Sequence, residues 1–295
     1  MKTVFIKDKK IKLYDSIDEM PIVNFQKYNK CILIDSGLGS DVDSIDSHIV
    51  NIAKYINKGD KKNAMQELQN MRQNMHMIVS NVSPKNLAFA ALIRSIDGKE
   101  QKDLSDAHLQ EIIDDLGEVP YSLFIDLLTG LKKKLSTELE LYFPSEFDSA
   151  KEKEAYAKLK MRTLLQLQEL IEDKNYAEEI AELDEFLFSL HKPKNFNGKD
   201  SEEIKYDKQF ESACMIISQK TGMNAKQMTV LEFYNTLTNI QKQKQKLKKK
   251  QEKKLKQKLK KKLKIRQKQK LRLKKLKKRK QQLKKKCKPK QKVIQ

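Results

Sequence analysis

The stretch "AMQELQNMRQNMHMIVSNV", Ala64–Val82, decides how the rest of the chain is read. Ala64, Leu68, Met71, Met75, Ile78 and Val82 recur at steps of four and three residues. That spacing lines one stripe of an α-helix and forms a seam for packing beside another helix. The segment before it repeats the pattern with Val42, Ile45, Ile49, Ile52 and Ile56, and only "NKGD" separates the two. Met65, Met71, Met75 and Met77 lie near the seam and read as core.

Outward from this pair the chain continues in helices. Pro21 opens "PIVNFQKYNKCILI", with Ile22, Phe25, Tyr28 and Ile32 at helical spacing, and Gly37 and Gly39 end it. Ser40 or Asp41 can cap the helix that follows. "SPKNLAFAALIRSIDG" reads as one helix, with Ser83 as cap, Pro84 at the first position and Gly98 beyond the end. Ser105 caps "DAHLQEIIDDLG", and Pro120 opens "PYSLFIDLLTGLKKKLSTELELY". After "FPSEFDS" come two amphipathic helices, the loop "KPKNFNGKDS" and two more helices ending at "VLEFYNTLTNI". Ahead of all of them, Thr3–Ile6 and Ile11–Tyr14 read as strands around "KDKK". The expected fold is mainly α, a multi-helix bundle with a small N-terminal β-hairpin and a long basic C-terminal helix or disordered tail. The expected domains are 1–147, 148–240 and a Lys-rich tail at 241–295.

The net charge of +22 is an average over two unlike parts. Residues 241–295 hold 30 Lys and Arg against a single acid, Glu252, while the other 240 residues hold 32 basic and 39 acidic side chains. The body is therefore mildly acidic, and composition alone does not make it a nucleic-acid-binding domain. In the tail, leucines four residues apart drift around a helix, and lysines at that spacing repel one another. A helix there is expected only on a polyanion. The candidate contacts to DNA or RNA are Lys248, Lys249, Lys250, Lys260, Lys261, Lys262, Arg266, Arg272, Lys274, Lys275, Lys277, Lys278, Arg279 and Lys280. With 56 lysines to six arginines in the chain and no stacking aromatics in the tail, such binding would ignore sequence. The other reading is a solvated low-complexity extension. A membrane is disfavoured because the leucine stripe lacks Trp or Phe anchors.

No constellation of catalytic groups stands out. "DSGLGSDVDSID" places Gly37 and Gly39 where a calcium loop needs ligands, and it lacks the third glycine or the Lys-Ser/Thr of a phosphate loop. A helix break followed by a cap explains it. His48, His76, His108 and His191 are expected on separate helices and share no motif with cysteine or acid. Cys31, Cys214 and Cys287 are far apart, which speaks against a zinc site or disulfide framework. The expectation is a soluble, non-enzymatic protein with no cofactor and no metal, located in the cytoplasm or in a particle assembled there.

Some longer segments resemble a known group of proteins. "ELELYFPSEFDSAKEKEAYAKLKMRTLLQL", "FLFSLHKPKNFNGKDSEEIKYDKQFESACMIISQKTGMNAKQMTVLEFYNTL", "MPIVNFQKYNKCILIDSGLGSDVDSIDSHI" and "NLAFAALIRSIDGKE" are similar to structural and tail-assembly proteins of large tailed phages. The crAss-like phages and related phages of Bacteroidetes are included in that group. The likeness covers most of Pro21–Leu237. It implies a virion component or a tail-assembly chaperone whose partner is a phage structural or tail protein, acting in the host cytoplasm. Self-association also fits. The basic tail departs from that pattern. Methionine-rich faces adapt to partners, so the candidate protein-binding residues are Met65, Leu68, Met71 and Met75 on one helix and Met228, Leu231, Phe233 and Tyr234 on the last.

Overall fold

The computed structural model describes residues 1–117, 121–144, 150–172 and 174–250, with isolated residues beyond. The chain forms two compact units, Met1–Leu237 and Thr238–Gln295. The boundary expected at 147/148 falls on residues outside the described ones, and α6 (Tyr121–Tyr142) and α7 (Ala150–Glu172), on either side of it, lie in the first unit.

The first unit is mainly helical and carries the expected hairpin, β1 (Lys2–Ile6) with β2 (Lys9–Leu13). Two further strands, β3 (Ile93–Ile96) and β4 (Lys99–Glu100), extend it into an antiparallel sheet of order β1-β2-β3-β4. This corrects the single helix expected from Ser83 to Gly98, because α4 stops at Ala91. Ile93 to Ile96 favour extended backbone, and Asp97 and Gly98, with φ of 49° and 84°, make a two-residue hairpin loop. The sheet registers that turn through Asp97, whose carboxylate accepts from Lys10 N at 2.8 Å.

The core forms where the sheet meets α1 (Ile22–Leu38) and α4 (Pro84–Ala91). Ile11, Leu13, Phe89, Leu92 and Ile93 are fully enclosed. Asn24 of α1 donates its side-chain amide to the Ala91 carbonyl at 3.0 Å, satisfying an acceptor at the end of α4. α5 (Asp106–Leu116) begins at the expected cap, Ser105, which accepts from His108 N. α7 and α8 (Ala177–Leu190) form a helical pair bridged by Arg162 and Asp184. α9 (Glu202–Thr221) starts at Ser201 and ends at left-handed Gly222.

After a short 3-10 turn at Ala225–Gln227, the chain crosses the segment Ile17–Ile22. Ile22 N donates to Met228 O, Val230 N to Met20 O and Leu231 N to Ile17 O, each at 2.9 Å. Residues 230–250 are helical, and their part up to 237, α10, belongs to the first unit. Among the described residues no helix is long and apolar enough to cross a membrane.

Candidate functional site

α2 (Val42–Asn57) and α3 (Lys61–Val79) form the pair expected from the sequence. Asp41 is the cap of α2, its carboxylate accepting from Ser44 N at 2.9 Å. Gly39, with φ of 72°, makes the break before it, as expected of a helix stop.

The pair is turned part of the way round from its hydrophobic pattern. On α3 the buried residues are Ala64, Glu67, Asn70 and Asn74, and Glu67, Asn70 and Asn74 are no more than 1% exposed. On α2 the buried residues are His48 and Tyr55. Of the apolar stripe of α3, Ala64 is buried, but Leu68 at 45% and Met75 at 49% are exposed, together with the flanking Met65 at 57% and Val79 at 87%. Val42, Ile49 and Ile56 of α2 are exposed as well, and Ile45, Ile52, Met71 and Ile78 are half-buried.

The cause lies in what covers the polar side. The loop "HKPKNFN", His191–Asn197, runs over it as an irregular strap whose carbonyls need donors. Tyr55 Oη donates to His191 O at 2.7 Å and Asn70 Nδ2 to Lys194 O at 3.1 Å. Gln73 Nε2 reaches Asn197 Oδ1 at 2.6 Å, and Asn74 Nδ2 donates to Asp41 O at 3.3 Å. Leucines at these positions would leave the carbonyls unpaired. Tyr55 also packs against Phe188 of α8, with ring centroids 4.8 Å apart and planes tilted by 44°, so an aromatic contact seats the strap's near end.

At the centre of this surface, two histidines converge on one buried carboxylate. His48 Nδ1 donates to Glu67 Oε2 and His191 Nε2 to Glu67 Oε1, both at 2.6 Å. His48 Nε2 donates to the Leu38 carbonyl at 2.8 Å. Both partners of His48 are acceptors, and only the imidazolium can donate to both. Burial alone would lower the His48 pKa, but the bonds to Glu67 and Leu38 outweigh it and raise the pKa above 6.5. Burial likewise pushes Glu67 up, and the two histidines overcome it, holding the carboxyl at about 2.

A cavity of about 510 Å³ adjoins this clamp, lined in part by Ser44, Ser47, Asn51, His191 and Lys194. Both Glu67 oxygens and both His48 nitrogens are already engaged, so the clamp fixes the helices against the strap. Among the described residues no group of three His, Cys, Asp or Glu side chains is placed to hold a metal. The histidines, read from the sequence as unrelated, are thus brought together in part. Their separations from Glu67, 19 and 124 residues, carry no local signal.

The structure divides the candidate protein-binding residues. Met65, Leu68 and Met75 are exposed and Met71 half-buried, all on α3. Met228 at 3% and Phe233 at 4% exposure are core, which corrects their reading as binding residues. The crossing at Ile17–Ile22 encloses Met228, and Phe233 packs on Phe210 with centroids 5.9 Å apart. Leu231 and Tyr234 are half-buried, the Tyr234 ring packing at a tilt against Phe143 with centroids 5.5 Å apart. Of the tail residues, Lys248, Lys249, Lys250, Lys275, Lys278, Arg279 and Lys280 are exposed on helical backbone. Lys260, Lys261, Lys262, Arg266, Arg272, Lys274, Lys277 and Cys287 lie outside the described residues. No protein-family model, curated protein or solved structure matches the chain.

Proposed function

We propose that the chain acts by binding proteins, as a non-enzymatic component of tailed-phage assembly, working in the host cytoplasm or carried in the virion. The observation that supports this is the solvent-facing apolar row of α2 and α3. Helices bury such rows against other helices, and large exposed apolar patches mark association sites. The phage setting rests on the resemblance of the Pro21–Leu237 segments alone. The test is capture of virion and tail proteins from infected cells by the wild-type chain and by a Leu68→Lys/Met75→Lys variant. A defined structural protein kept by the first and lost by the second supports the reading; equal capture by both, or none, contradicts it.

A second reading, sequence-blind nucleic-acid binding, is supported by the 30 basic residues at 241–295. Ten lysines on phosphates would give a log–log salt slope near about −9. Duplex-DNA titrations across salt, with and without the residues after Ile240, decide it. Equal binding by the shortened chain rules it out.

A further inference from the structure

A cavity of about 320 Å³ lies within the first unit, where α1, α6, α9 and α10 meet. Its walls carry four aromatic rings, Phe25 and Tyr28 of α1, Tyr206 of α9 and Tyr234 of α10. Leu135 and Leu139 of α6, both buried, add to the apolar lining. Phe25 and Tyr234 meet edge to face with centroids 6.4 Å apart, so the rings brace one another.

One wall carries an unanswered polar group. Tyr28 is 3% exposed, and its hydroxyl has no hydrogen-bond partner among the described residues. Burial alone pushes its phenol up to about 12, with no neighbouring charge acting on it. The Tyr206 hydroxyl, by contrast, is tied to the Asn29 side chain. Buried hydroxyls are ordinarily bonded, and an orphan on a residue that lines a cavity marks a place for a guest's acceptor. Among the described lining residues there is no carboxylate, so nothing there answers a cation. Lys132 is the charged one, and it is exposed, with Ser136, on the side that α6 leaves open to solvent.

We propose that this cavity binds a neutral aromatic molecule of two fused rings that carries a hydrogen-bond acceptor, with that acceptor on the Tyr28 hydroxyl. Size sets the ring number: a cavity of roughly 150 Å³ takes benzene, and this one is about twice as large. The site lies apart from the α2–α3 face and is independent of the protein-binding reading.

The test uses the full chain at pH 8 with isoquinoline, which has a ring-nitrogen acceptor, and naphthalene, which has the same shape and none. Calorimetric titration is expected to give a dissociation constant below about 1 mM for isoquinoline. Naphthalene is expected to bind about fivefold more weakly, and Tyr28→Phe to bring the two to equal affinity. Without ligand, Tyr28→Phe is expected to melt no lower than wild type, because the lost hydroxyl had no partner. The chain contains no tryptophan, so Ser136→Trp supplies a single fluorophore beside the cavity, and its emission is expected to change as isoquinoline binds. No binding of either ring overturns the proposal, as does a preference for isoquinoline that survives Tyr28→Phe. Binding that leaves the emission of the Ser136→Trp chain unchanged places the ring elsewhere and overturns it too. A Tyr28→Phe chain that melts several degrees lower shows the hydroxyl already answered, by water or by the chain, and contradicts the site.

Discussion

Glu67 is the residue on which the orientation of the α2–α3 pair turns. A carboxylate at 1% exposure is costly unless its charge is answered, and here two imidazoles answer it. Removing it leaves buried His48 without its counter-ion, so Glu67→Gln is expected to cost on the order of 3 kcal/mol. The pH dependence follows from the two shifts. Glu67, lowered from 4.5 to about 2, adds stability above pH 4.5 and loses it as pH falls towards 2. His48, raised from 6.5, adds stability below pH 6.5 and loses it as pH rises through its folded value. The difference between wild type and Glu67→Gln is therefore greatest between about pH 4.5 and 6.5 and narrows on both sides, as chemical denaturation across pH would show. A difference that is flat with pH would mean that His48 and Glu67 do not ionise as a pair. None of this was legible in the sequence. Glu67, Asn70 and Asn74 also recur at helical spacing, but a stripe of polar residues is ordinarily the solvated one, and the strap that reverses the rule is a loop 124 residues away from Glu67.

Elements were more legible than their faces. The caps at Asp41 and Ser105, the stop at Gly39 and the left-handed Gly222 all stand where side-chain chemistry predicts. The missed element, β3, had its own signal in "SIDGKE", since Asp-Gly between extended segments is a strong hairpin cue. The apolar run "LAFAALI" outweighed it, because buried strand and buried helix look alike in such a run. Gly98 and Gly130 give a paired test of these elements. Gly98, at φ 84°, holds a conformation that L side chains rarely adopt, so G98A is expected to destabilise by about 1 kcal/mol. Gly130 lies within α6 with nothing near an added Cβ, so G130A is expected to stabilise by up to about 1 kcal/mol. Thermal melts of the two variants shifting in the same direction would contradict the assignment of one of these elements.

At the scale of the molecule, the sequence separates the charge cleanly and the function poorly. The division at Leu237 and Thr238 lies three residues from where "VLEFYNTLTNI" gives way to "QKQKQKLKKK". The crossing that encloses Met228 and Val230 closes within the first unit. A chain ending at Ile240 is accordingly expected to keep the helical circular dichroism and melting temperature of the full chain to within a few degrees, and loss of cooperative unfolding would show that the tail contributes to the fold. What the sequence hid is which side of α2 and α3 is outside, and that decides whether the methionine row is core or surface. Methionine oxidation followed by peptide mass spectrometry reads this directly, on dilute chain so that association does not mask the face. Met65 and Met75 are expected to oxidise at least about tenfold faster than the enclosed Met20 and Met228. Protection of Met65 and Met75 to the level of Met228 in the dilute, folded chain would contradict an outward apolar face.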